Sequence, residues 1–70
     1  MHRLFLTPRE KEIFTRLLKK ESTEQIANVL GISEKTVRNH ISNVIQKLGV
    51  KGRNEAMIEL MRIGEIKKNK

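Results

Sequence analysis

Two helix-start signals, Ser22 and Ser33, with a glycine between them, constrain this chain more than any other feature. The stretch 22–53 reads STEQIANVLGISEKTVRNHISNVIQKLGVKGR. Ser22 can accept the N–H of the third helical residue, and Gln25 stands at that position to close a capping box. Ile26, Ala27 and Leu30 recur at helical spacing before Gly31, a residue that enters positive φ at no steric cost. Ile32 plugs the turn, and Ser33 caps a second, longer helix. Two helices joined by a short, glycine-containing connection form a helix-turn-helix, a unit that places its second helix against DNA.

The rest of the chain fits such a module. Seventy residues give one small domain, which buries only about 60% of the surface exposed when unfolded. Association with a partner would add burial. There is no cysteine, so neither a disulfide nor a thiolate metal site can form, and a reducing compartment is expected. No apolar run approaches the roughly 20 residues of a membrane span, and no signal-peptide core follows Met1. The sequence therefore predicts a soluble, cytoplasmic protein.

The net charge of +7 and pI near 10.3 point to a polyanionic partner. Its distribution is more informative than its total. Between 34 and 53, Lys35, Arg38, Lys47, Lys51 and Arg53 face Glu34 alone. Between 54 and 66, Arg62 stands against Glu55, Glu59 and Glu65. The basic excess thus lies on the second helix of the unit and just beyond it, and the following helix is acidic. Phe5 and Phe14 are the only aromatic residues, too few for the stacking platforms of single-strand or RNA binders. Duplex DNA is the expected ligand.

Four helices are predicted, at about 8–19, 23–30, 34–48 and 53–63, with no strands: an all-α, compact four-helix domain with a central helix-turn-helix. Thr7 caps the first, Pro8 takes its first position and Glu10 closes its box. Ile13, Phe14, Leu17 and Leu18 form its apolar stripe. Val37, Ile41, Val44 and Leu48 share one face of the third helix, with Ile45 on its margin and Gly49 as its stop. Residues 1–5 and 66–70 are expected to fray.

With that stripe turned inward, Lys35, Arg38, Asn39, Ser42, Asn43 and Gln46 point outward or to the flanks. The N-terminal part of such a helix enters the major groove. Arg38 suits guanine O6/N7 and Asn39 suits adenine N6/N7, with Ser42 and Asn43 adjacent. Thr36 and the first-turn N–H groups, with Lys35, Lys47, Lys51 and Arg53, are candidates for phosphate. A polar face is what any solvated helix shows; the turn, the caps and the lack of acids from 35 to 54 favour DNA here. His40, beside the Ile41/Val44 stripe, reads as a packed boundary residue. Neither His2 nor His40 has a second ligand nearby, and no metal or other cofactor is expected.

The run L-T-x-R-E at 6–10, E-Q-I-A-x-x-L-G-I-S at 24–33, K-T-V-R-N-H-I at 35–41 and K-L-G-V-K-G-R at 47–53 resembles the LuxR-type helix-turn-helix (LuxR/GerE, NarL/FixJ-like). The resemblance spans about 5–66 of a single domain covering 1–70. It is strongest to a stand-alone sporulation regulator of that family. It implies a transcription regulator that binds promoter DNA as a homodimer, with the third helix in the major groove and the fourth at the dimer interface. By position it assigns base reading to Arg38, Asn39 and Ser42, with Asn43 nearby, and backbone contact to Lys35, Thr36, Lys47 and the Lys51–Arg53 segment. It further implies an activator acting with RNA polymerase in the bacterial nucleoid, on sporulation or spore-coat genes. Many relatives carry a phosphoacceptor or sensing domain. The chain reads either as self-sufficient, which Met1 favours, or as the DNA-binding fragment of a larger response regulator.

On a helical wheel Ala56, Met57, Leu60 and Ile63 form the docking face of the fourth helix. Ile58 lies outside it, with Met61 at the boundary and Asn54, Arg62 and Glu65 around. These five residues are the expected dimer contact. A nonspecific architectural DNA binder and a protein-interaction module are the rival readings. An enzyme is excluded on other grounds: no Cys, no Asp, no paired His and no Gly-rich phosphate loop. No small-molecule ligand is evident.

Overall fold

A computed structural model describes residues 6–67, and those residues form four helices and no strand: α1 Pro8–Leu18, α2 Thr23–Leu30, α3 Glu34–Leu48 and α4 Arg53–Arg62. The caps read from the sequence set the starts of α1, α2 and α3. Glu10 N–H donates to Thr7 Oγ1 at 3.1 Å, and Thr7 N–H donates back to Glu10 Oε1 at 3.0 Å. Ser22 and Gln25 repeat that box, at 3.1 and 2.8 Å. Ser33 Oγ accepts the Thr36 N–H at 3.0 Å. Gly31 and Gly49, with φ of 70° and 69°, close α2 and α3 in the left-handed region. At the end of α1 that role falls to Lys20, with φ 71°. The Glu21 N–H reaches Arg16 O at 3.2 Å and the Lys20 N–H reaches Leu17 O at 2.9 Å, a Schellman closure made without glycine.

Helix α3 packs against each of the other three helices and is the axis of the core. Val37, Ile41 and Val44 are buried from it, against Ile13, Phe14 and Leu17 of α1 and Ile26 and Ala27 of α2. Ala56 and Leu60 close the core from α4. Leu18, Leu30, Ile45, Leu48 and Met57 pack around them, partly buried.

The end of the chain departs from expectation. Ile63, placed by the wheel on the docking face, is 38% exposed, whereas Ile66, expected to fray, is 2% exposed. The reason is a chain reversal. Gly64 takes φ 82°, and the Glu65 N–H returns to Leu60 O at 2.8 Å. Helix α4 ends at Arg62, and beyond Gly64 the chain turns back so that Ile66, and not Ile63, is buried with the core. The other positions expected to fray, 1–5 and 68–70, lie outside the described residues.

One long-range bond fastens this frame. Glu10, buried beneath the first turn of α1, receives Lys47 Nζ from the last turn of α3 at 2.6 Å. Burial pushes its carboxyl pKa up. The bonds from Lys47 and the Thr7 N–H, with the positive charges of Lys47 and His40, outweigh burial and hold it below the ordinary value of 4.5. A carboxylate with a lowered folded pKa adds stability above its unfolded pKa and loses it as pH falls through the folded value. Glu10→Gln is expected to cost about 1–3 kcal/mol at pH 7. Urea melts of wild type and variant should converge on acidification below pH 4.5. A constant gap down to the acid limit would remove the carboxylate charge as the cause.

Candidate nucleic-acid interface

The buried stripe of α3 dictates what its opposite face presents. Lys35, Arg38, Asn39, Ser42, Asn43 and Gln46 are all exposed along one arc of the helix. The arc opposes Val37, Ile41 and Val44, which lie in the core. Helix α2 packs against α3, so the arc is held on a rigid base rather than on a loop. From Lys35 to Asn54 the sequence contains no acid. Such a surface can donate hydrogen bonds to base edges from its centre and attract phosphates at its ends.

Several of the predicted residues are already engaged within the fold. Arg38 Nη2 donates to Glu34 Oε2 at 2.7 Å. That same oxygen accepts the hydroxyl of Thr23, the first residue of α2, at 2.7 Å. In the sequence Glu34 registers only as the one acid among the cations of 34–53. The Glu34–Arg38 pair was legible from its i,i+4 spacing; the Thr23 link, across two helices, was not. Thr36 N–H is used by Ser33, and the two hydroxyls lie 2.9 Å apart, so that N–H is not free for a phosphate. Lys47 is bound to Glu10, and any phosphate must compete with that carboxylate for its charge. Lys35, Lys51 and Arg53 are exposed at the edges. His40 is half-buried.

On α4, Ile58 is 63% exposed and Met61 is 36% exposed. Asn54 and Arg62 are exposed beside them. Arg62 Nε donates to Glu59 Oε1 at 3.1 Å, so its charge is met one turn away on its own helix. Glu65 does not join this patch: it is 5% exposed, carried inward by the reversal at Gly64. Asn54 and Met61, with Met57, also line a groove of about 420 Å³ between α4 and the end of α1. No helix among the described residues is long and apolar enough to cross a membrane.

Comparison with known proteins agrees with this geometry. A model of the luxR family of bacterial regulatory proteins matches residues 4–60. The chain is 61% identical over 61 residues to the spore germination protein GerE of Bacillus subtilis, covering 87% of this chain and 82% of that protein. The solved structure of the transcription factor GerE superposes with a TM-score of 0.93 at 58% identity, over 96% of this chain and all of that one. VqmA of Vibrio cholera, solved in complex with a ligand and DNA, superposes with a TM-score of 0.80 at 31% identity. There the match covers 93% of this chain but 28% of the longer VqmA chain.

Proposed function

The chain belongs to the luxR family of bacterial regulatory proteins, and from that membership we propose that it binds promoter DNA as a dimer and activates transcription. It is a helix-turn-helix DNA-binding transcription regulator, not an enzyme. The observation that carries the finer reading is the exposed, acid-free arc of α3 from Lys35 to Gln46. Arg38 and Asn39 meet base edges in the major groove, Ser42 and Asn43 extend the reading, and Lys35, Lys51 and Arg53 hold the flanking phosphates. Thr36 and Lys47 are secondary phosphate contacts, since each has a partner in the fold. The identity with a spore germination protein supports a sporulation setting. Such a protein works in the cytoplasm at the nucleoid and alters transcription through contact with, or exclusion of, RNA polymerase. Residues 1–70 act as a single DNA-binding domain.

Dimerisation uses the α4 patch. Ile58 forms the centre, with Met61 beside it and Asn54 and Arg62 at the rim. A two-fold contact requires half-sites related by a dyad, about one helical turn or a multiple apart. Ile58→Glu sets a charge in an apolar contact. Affinity for an inverted repeat should fall about tenfold or more, each factor of ten being about 1.4 kcal/mol of lost contact. Affinity for an isolated half-site should hold. Equal losses on both duplexes, read by gel shift, would remove Ile58 from the interface.

In vitro selection of the chain from random duplex DNA at near-physiological salt tests the whole reading. Enrichment of a dyad-related repeat is the expected result. A single half-site would instead favour the DNA-reading piece of a longer regulator. Recovery without sequence preference would favour an architectural binder.

A further inference from the structure

We propose that Glu34 sets the specificity of the reading helix by acting through Arg38, an inference that rests on the DNA-binding reading above. The carboxylate stands at the start of α3, and one oxygen, Oε2, holds two donors at 2.7 Å: Thr23 Oγ1 from α2 and Arg38 Nη2 from the next turn of α3. An exposed i,i+4 pair alone is weak, because two long side chains must be ordered to form it. Here Thr23 has already fixed the carboxylate from a second helix, so less freedom remains for the Arg38 contact to remove.

The arrangement treats bases and phosphates differently. A guanine edge is neutral and asks for hydrogen-bond donors in a fixed fork. Glu34 engages Nη2 and holds the guanidinium in one orientation, which leaves other N–H donors of the fork to meet a base edge. A phosphate asks for net positive charge. Glu34 cancels that charge locally, so a passing phosphate gains little from Arg38. Glu34 thus strengthens readout and weakens sequence-independent binding at the same residue. It is a positioning residue, with no direct contact to DNA required.

The test uses wild type, Glu34→Gln, Arg38→Ala and the double variant, each titrated with the selected operator and a scrambled duplex of equal length. Glutamine keeps an acceptor for Thr23 and removes the charge. On the scrambled duplex, Glu34→Gln should bind tighter and steepen the log K against log salt slope by about 0.9, the value of one added phosphate contact. Its advantage over wild type should therefore shrink roughly 3.5-fold between about 50 and 200 mM salt. The operator-to-scrambled ratio should fall. In the Arg38→Ala background the same substitution should leave slope and ratio unchanged. A slope unaltered by Glu34→Gln would overturn the proposal and reduce the contact to helix packing. A slope change that survived without Arg38 would also overturn it, since the carboxylate would then be repelling phosphates directly. Selectivity absent from wild type itself would overturn both this inference and the reading beneath it.

Discussion

Replacing Phe14 with alanine is expected to leave much of the chain unfolded at 37 °C. Phe14 is the largest fully buried side chain among the described residues, at 0% exposure, and lies among Ile13, Leu17 and the buried residues of α2 and α3. Its truncation removes the transfer free energy of the ring and leaves a void that rigid helices fill poorly, a cost of about 3–5 kcal/mol. A domain of 70 residues has only about 4–10 kcal/mol of total stability. The variant therefore stands near its unfolding threshold, while Phe14→Leu, which keeps most of the volume, should cost about 1 kcal/mol. Urea denaturation followed by far-ultraviolet circular dichroism separates them. A loss below about 1 kcal/mol for alanine would mean that the three helices collapse onto the site and do not form a fixed frame.

Arg38→Ala is expected to abolish discrimination at one base pair while leaving the other positions of the operator readable. A bidentate arginine–guanine contact is worth about 1–3 kcal/mol against the wrong base, or about 5- to 150-fold in relative affinity. The fold should survive, since Arg38 lies on the exposed arc and its side chain is 59% exposed. Because Glu34 already offsets the Arg38 charge, affinity for unrelated duplexes should change little. The diagnostic result is the pattern. Binding to a panel of operators, each changed at one position, should flatten at one base pair per half-site and nowhere else. An unchanged panel with uniformly weaker binding would reassign Arg38 to a phosphate.

The helix starts were legible in the sequence because capping is local chemistry. Thr7 with Glu10, and Ser22 with Gln25, satisfy one another across three residues, and Gly31 and Gly49 end helices by their own backbone freedom. The base-reading arc was legible for a related reason: once Val37, Ile41 and Val44 turn inward, the helical period decides where Arg38 and Asn39 point. The end of α4 was misread at the same level. The wheel extends the docking face through Ile63, but α4 ends at Arg62 and the chain turns at Gly64, with Ile63 exposed and Glu65 and Ile66 buried. Lys20 closes α1 in a conformation usually left to glycine, and the sequence carried no signal for it.

What the sequence by itself determined was where α1, α2 and α3 begin, which faces they bury and which polar side chains of α3 remain outside. Those properties depend on residues within a turn or two, whose geometry the helix imposes. Only the tertiary structure decided which of the outward cations are answered from within. Lys47 meets Glu10 across 37 residues, and Glu34 is held by Thr23 from another helix before Arg38 reaches it. Those pairings need helices far apart in the chain to pack at one fixed angle and depth, and no local spacing encodes that.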